Sequence, residues 1–300
     1  MKAEIAVIDI GSNSVRLMLA GREDGRVRSI SKTLCTTRLA KGIDGTNRLA
    51  PDRVADTVEA IRVFHQRAAE LGIPSIAYAT SAVRDAQNRD AFVALVKEQT
   101  GMTVRVLSGR EEGAYAFDAA TGGEGTVFDI GGGSFQIVTK DRSLSFPCGC
   151  VRAKEHCDAS EPEELERSLF AWMDGKTDVP GCVPGPVYGV GGTITTIGAM
   201  LASQKQFDPD HLERITLPKL DGLLKLLSLV PEPTRMQMPL LKRRGDVILQ
   251  GATILRYLMI RTNTDCVIPA DRDGMEGIAE AYFRSKSRIA DKGGNADAQS

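Results

Sequence analysis

The 300-residue chain has no long apolar run, no surplus of one charge and no paired spacing of cysteines. Each absence closes a class of function. Lys2 and Glu4 precede only a short apolar stretch, too short for the core of a signal peptide and far too short for a membrane span, so a cytoplasmic protein without a membrane partner is expected. A formal net charge of -1 supplies no global field that demands nucleic acid; a polyanion would have to be held by local clustering. Cys35, Cys148, Cys150, Cys157, Cys182 and Cys266 lie at irregular intervals and read as reduced thiols. The set Cys148, Cys150, His156 and Cys157 fits none of the usual zinc spacings. What remains is ordinary globular composition, 42% hydrophobic and 26% charged, in a chain long enough for two cores.

Periodicity divides the chain into two similar halves. Residues 5–10 and 15–20 read as strands around a Gly-Ser-Asn-Ser turn, and Glu23, Asp24 and Gly25 signal a hairpin. Helices are predicted over residues 52–71 and 89–100, separated by a strand over 75–80, and another helix begins near Arg110 after a strand over 103–107. The pattern restarts at residue 126, with strands over 126–130, 135–139 and 143–146, a helix over 162–173 and a strand over 187–190. Helices over 193–203, 220–229, 246–261 and 275–286 follow, with a strand over 266–268 before the last. Val7-Ile8-Asp9-Ile10-Gly11-Ser12-Asn13-Ser14 overlays Val127-Phe128-Asp129-Ile130-Gly131-Gly132-Gly133-Ser134. Such a repeat predicts two lobes, residues 1–124 and 125–286, with a cleft between them, the last helix packing back on the first lobe, and a disordered tail over 287–300.

The paired turns are the chemical signal. Gly11 to Ser14 and Gly131 to Ser134 combine small side chains with unpaired N–H groups, which lets a phosphate approach the main chain. A single Gly-rich turn would be read simply as a hairpin; two matched copies, each preceded by an acid, are read as a phosphate site. Asp9 and Asp129 are candidates to hold Mg²⁺ or its waters there. Gly189-Val190-Gly191-Gly192-Thr193 opens a helix and offers a third set of N–H donors, but no lysine follows the glycines, so it is not a Walker loop. Glu111 and Glu112, taken alone, are two acids in a first helical turn that favour the helix dipole.

Six segments together resemble the exopolyphosphatase and guanosine pentaphosphate phosphohydrolase (Ppx/GppA) family. They are Asp9-Ile10-Gly11-Ser12-Asn13-Ser14 with Arg16, Thr80-Ser81-Ala82-Val83-Arg84, Ser108-Gly109-Arg110-Glu111-Glu112, Asp129-Ile130-Gly131-Gly132-Gly133-Ser134, Gly189-Val190-Gly191-Gly192-Thr193 and Gly274-Met275-Glu276-Gly277. The resemblance spans nearly the whole chain in its short, two-domain form. It implies an α/β fold of two actin-like (ribonuclease H-like) domains, of the acetate and sugar kinase/Hsp70/actin superfold, with the ligand in the interdomain cleft. It also implies Glu112 as the base acting on water, supported by Glu111, with a divalent cation such as Mg²⁺ as cofactor. Arg84, placed at a strand end, is the expected phosphate clamp, because a guanidinium binds two oxygens at once. Arg38 and Lys41 resemble a loop near the family's channel and are expected to track further phosphates.

One position departs from the family pattern. Where a Glu linked to metal binding commonly follows the second turn, this chain has Gln136, which offers an amide oxygen without charge. The expected activity is removal of terminal phosphate from inorganic polyphosphate. The alternatives are the same chemistry on guanosine pentaphosphate and a non-catalytic polyphosphate or alarmone sensor, with a kinase of the same superfold or an actin-like polymer as more distant readings. The sequence leaves a homodimer open.

Overall fold

A computed structural model describes the backbone of residues 1–294 and side chains as far as Lys286. The first sheet contains β1 (Ile5–Ile10), β2 (Ser14–Glu23), β3 (Arg26–Thr36), β4 (Ser75–Ala79) and β5 (Val104–Val106), in the order β3-β2-β1-β4-β5. The second contains β6 (Thr126–Ile130), β7 (Phe135–Thr139), β8 (Ser143–Phe146), β9 (Val187–Val190), β10 (Ile215–Thr216) and β11 (Cys266–Pro269), in the order β10-β11-β9-β6-β7-β8. Apart from β10, an extra antiparallel edge, the two orders superpose: a three-stranded antiparallel meander followed by two parallel strands. The duplicated arrangement is the one expected from the repeat, and it matches the actin-like α/β fold that the family resemblance implies. The β2–β3 turn explains its own residues, since Asp24 and Gly25 both take positive φ, 50° and 74°, as a two-residue hairpin matching the strand twist requires.

The helices are α1 (Ile43–Thr46), α2 (Pro51–Glu70), α3 (Ser81–Asp85), α4 (Arg89–Thr100), α5 (Gly109–Thr121), α6 (Cys150–His156), α7 (Pro162–Asp174), α8 (Gly192–Leu201), α9 (Leu217–Ser228), α10 (Glu232–Arg235), α11 (Ile248–Arg261) and α12 (Gly274–Gly294). Every side chain of β1 is buried, and its period of two sorts the residues by face. Ile8 and Ile10 join Ile61 and Phe64 of α2, whereas Ile5 and Val7 join Met275, Ile278 and Phe283 of α12. In the second sheet Val127 packs with Ala116 and Phe117 of α5. Each sheet is therefore covered on one face by a helix that the chain makes next to the other sheet, and α5 and α12 touch where they cross.

That crossing depends on missing side chains. A Cβ on Gly277 of α12 would overlap the Tyr115 carbonyl of α5, and one on Gly113 would sit 2.7 Å from Val138 of β7. Gly277→Ala is therefore expected to lower stability by about 1–3 kcal/mol despite Ala's better helix propensity, read as a lower urea midpoint. An unchanged or raised midpoint would show that the helices can separate without loss.

Four short helices, α1, α3, α6 and α10, are absent from the sequence expectation, and α3 rather than a strand end carries Arg84. The last helix continues past Lys286 to Gly294, into the expected tail; residues 295–300 lie outside the described residues. Among the described residues no helix is long and apolar enough to cross a membrane.

Candidate active site

The two glycine turns fold alike. In each, the first glycine's N–H donates to a serine carbonyl three residues on, Gly11 to Ser14 at 3.0 Å and Gly131 to Ser134 at 2.9 Å. Their remaining carbonyls point into the protein: Ser12 accepts from Ala40, Asn13 from Thr37 and Arg38, and Gly131 and Gly132 from the first residues of α6. The N–H groups of Ser12, Asn13, Gly132 and Gly133 make no hydrogen bond within the described residues. Gly149, just before α6, lets that helix approach, because a Cβ there would overlap the Gly132 backbone.

The turns also meet. A Cβ on Gly132 would stand 2.9 Å from the Asn13 nitrogen, and one on Gly133 would stand 2.5 Å from the hydroxyls of Ser12 and Ser81. Between them lies a cavity of about 110 Å³. It is lined by Asp9, Gly11, Ser12, Asn13, Ser14 and Arg16 from the first hairpin, and by Asp129, Gly131, Gly132 and Ser134 from the second. Gly191, Gly192 and Thr193 at the start of α8 close a third side. Gly191 holds φ +87°, and a Cβ on it would stand 3.0 Å from Asp129 Oδ1, so only glycine brings this turn against the acid.

Glu112 lines the same cavity. Ser108 caps α5 through a reciprocal box in which Glu111 carries the return bond, and Glu111 also pairs with Arg105 at the surface. Glu111 is thus spent on the cap, and the next residue turns inward. Burial pushes the Glu112 carboxyl up to about 7, against the opposing pull of Arg84, with Asp9 and Asp85 adding repulsion. Arg84 does not line the cavity: its Nη1 donates to Glu112 Oε2 at 3.0 Å and to the Leu107 carbonyl at 3.1 Å. The residue expected to clamp phosphate is therefore hydrogen-bonded to the glutamate.

The hairpins differ at one register position, with a large electrostatic consequence. Arg16 faces Asp9 across the first hairpin, and Gln136 faces Asp129 across the second. Arg16 donates to Asp9 Oδ2 at 2.7 Å and to Asp273 Oδ2 at 2.5 Å, neutralising both in part. Asp9 Oδ1 is left buried with no hydrogen-bond partner. Gln136 is buried behind the cavity wall, and its amide donates to Ser134 Oγ at 2.8 Å rather than reaching Asp129. Asp129 then has no ion-pair or hydrogen-bond partner among the described residues, and burial, with repulsion from Glu112 and Asp273, raises its carboxyl to about 8. An orphaned carboxylate oxygen and an unpaired, half-buried carboxylate across one small cavity suit a divalent cation. Among the described residues there is no cage of three or more His, Cys, Asp or Glu side chains. Two carboxylates, with water and phosphate completing the shell, is the usual Mg²⁺ arrangement.

Arg38 and Lys41 do not line the cavity; both guanidinium contacts of Arg38 go to Asp246, at 2.8 and 2.6 Å. Sequence reasoning missed Arg244, Asp273 and Tyr78, all of which line it. Arg244 lies over Gly192, where even a methyl group would overlap its guanidinium, and that guanidinium has no ion-pair or hydrogen-bond partner among the described residues. Asp273 caps α12, accepting from the Met275 N–H at 3.0 Å. Neither belongs to a periodic segment; an arginine beside a Gly-Asp pair and an acid before Gly274 were the only signals available.

The sequence profile of the Ppx/GppA phosphatase family matches residues 18–281. Exopolyphosphatase 2 of Mycobacterium tuberculosis is 30% identical over 316 residues, covering 92% of this chain and 97% of that protein. The crystal structure of the Aquifex aeolicus member of the Ppx/GppA family superposes with a TM-score of 0.75 at 28% identity, covering 94% of this chain and 98% of that one. An exopolyphosphatase structure from Cytophaga hutchinsonii has the same fold, with a TM-score of 0.82 at 20% identity over 94% of this chain and 98% of that one. With the profile spanning most of its length, this chain belongs to the Ppx/GppA phosphatase family.

Proposed function

We infer that the protein hydrolyses the terminal phosphoanhydride bond of inorganic polyphosphate in a cleft between lobes formed by residues 1–124 and 125–286. The observation that carries this reading is the meeting of two turns with free N–H groups over the cavity that holds Glu112. Main-chain donors of Ser12, Asn13 and Gly132 hold the phosphate oxygens, and the start of α8 and Arg244 add positive potential. Asp9, Glu112, Asp129 and Asp273 bring four carboxylates to the cavity against Arg16 and Arg244, which by themselves would repel a polyanion. Asp129 and Asp9 Oδ1 are the groups that would hold Mg²⁺. When bound, the cation supplies the charge that offsets this repulsion and stabilises the developing negative charge.

Glu112, held by Arg84, orients a water at the terminal phosphorus and takes its proton as the new P–O bond forms. The bridging P–O bond breaks, and its electron pair leaves with the shortened chain. Only the ionised carboxylate can take that proton, and it forms as pH rises through about 7. The rate is therefore expected to climb about tenfold per pH unit below that point and to level off above it. A profile flat from pH 5.5 to 8.5 would remove Glu112 from the role.

Exopolyphosphatase 2 of M. tuberculosis carries polyphosphate chemistry in its name, which favours that substrate over guanosine pentaphosphate. Initial rates of phosphate release on both substrates test the order. A clear preference for the nucleotide would reverse it while leaving the chemistry of the site intact.

A further inference from the structure

The base is tied to the opposite sheet by a chain of charges. Arg152 of α6 is 6% exposed, yet none of its side-chain ion-pair partners lines the cavity. Its Nη2 lies 2.8 Å from Asp85 Oδ2 at the end of α3, and its Nε lies 3.3 Å from Asp44 Oδ1 in α1. Asp85 in turn lies 3.5 Å from the Nε of Arg84, the residue whose Nη1 holds Glu112 at 3.0 Å. Asp85 thus bridges the two arginines, with Oδ2 on Arg152 and Oδ1 on Arg84, so the charge of one carboxylate is shared between them. The same helical turn that carries Arg152 also donates to the Gly131 and Gly132 carbonyls of the second phosphate turn.

We propose that Arg152 is a positioning residue for the reaction: by engaging Asp85 it leaves Arg84 free to hold Glu112, and it links the seating of the second phosphate turn to the alignment of the base. Removing Arg152 would leave Asp85 with Arg84 as its nearest cation. Arg84 would be drawn from Glu112, and the repulsion that Asp85 exerts on Glu112 would no longer be offset. Both effects favour the protonated glutamate. The other charged or titratable groups that share the cavity with Glu112 include Asp9 from β1, Arg16 from β2, Tyr78 from β4, Tyr115 from α5, Asp129 from β6, Arg244 and Asp273. None of these is altered by the substitutions that test the link.

The inference rests on Glu112 as the base for its functional meaning, but its test does not need turnover. The Glu112 carboxyl can be followed by ¹³C NMR through a pH titration of the full chain, with Glu112→Gln identifying the signal. Arg152→Met is expected to raise the midpoint by about half to one pH unit, and Arg152→Lys by less. Asp85→Asn is expected to lower it, and the double variant Arg152→Met with Asp85→Asn to return it to the parent value or below. The acidic limb of phosphate release should move with these midpoints. An unmoved midpoint in Arg152→Met, or an equal rise in the double variant, overturns the proposal and leaves Arg152 a structural ion pair. Should Arg152→Met fail to fold, Asp85→Asn decides alone, since an unchanged midpoint there breaks the link. Midpoints that move as stated in a protein whose Glu112→Gln variant hydrolyses at the parent rate would uphold the network and remove the base assignment instead.

Discussion

Glu112→Gln is expected to slow phosphate release from polyphosphate by on the order of 10²–10⁴-fold, about 3–5 kcal/mol in the barrier, with substrate binding little changed. The amide keeps the shape of the side chain and still accepts a hydrogen bond from Arg84, so the cavity should persist. What it loses is the ability to take a proton from water. The split between rate and binding separates this role from electrostatics: Glu112 as a carboxylate repels phosphate, so its removal should leave affinity unchanged or improve it. A variant that binds tenfold more weakly but turns over at the parent rate would mark Glu112 as a contact residue rather than a base.

Asp129→Asn is expected to lower activity by on the order of 10²-fold or more, matching the several kcal/mol that a metal ion contributes to charge stabilisation. The asymmetry between the hairpins sharpens the expectation. Asp9 already shares one oxygen with Arg16 and offers only Oδ1 to a cation, whereas Asp129 has no competing partner. Asp129→Asn should therefore raise the Mg²⁺ concentration needed for half-maximal rate more than Asp9→Asn does. It should also reduce the Mg²⁺-dependent rise in melting temperature, a readout that needs no turnover. Equal effects at the two positions, in both rate and melting, would contradict the assignment of Asp129 as the principal ligand.

The repeat was legible because its signals are local. A buried strand, an acid and a glycine turn recur at residues 5–14 and 125–134, and main-chain geometry follows directly from such residues. Helix ends were legible for the same reason: Gly101 adopts the left-handed conformation expected where α4 stops. The direction of long side chains was not. Arg84 and Gln136 sit in the segments expected to form the site, but the one is claimed by Glu112 and the Leu107 carbonyl and the other by Ser134. Those choices depend on partners distant in the chain. Arg38 was turned away from phosphate by Asp246, some two hundred residues later, in a pairing that no periodicity announces. The short helix α6 escaped notice because its seven residues have no side-chain cap, although its N–H groups fix the second turn. Arg244 and Asp273 entered the cavity from loops whose position is set only when both sheets are assembled.

Whether this cavity turns over phosphoanhydrides or only holds them is the decisive question. Phosphate release and binding can be measured together on polyphosphates of defined length, with Mg²⁺ and then with other divalent cations. Release that requires the metal and rises with pH through about 7 is the predicted result. Tight binding with no release under any of these metals would contradict it and identify, in the uncharged Gln136 behind Asp129, a site that senses the polymer without cleaving it.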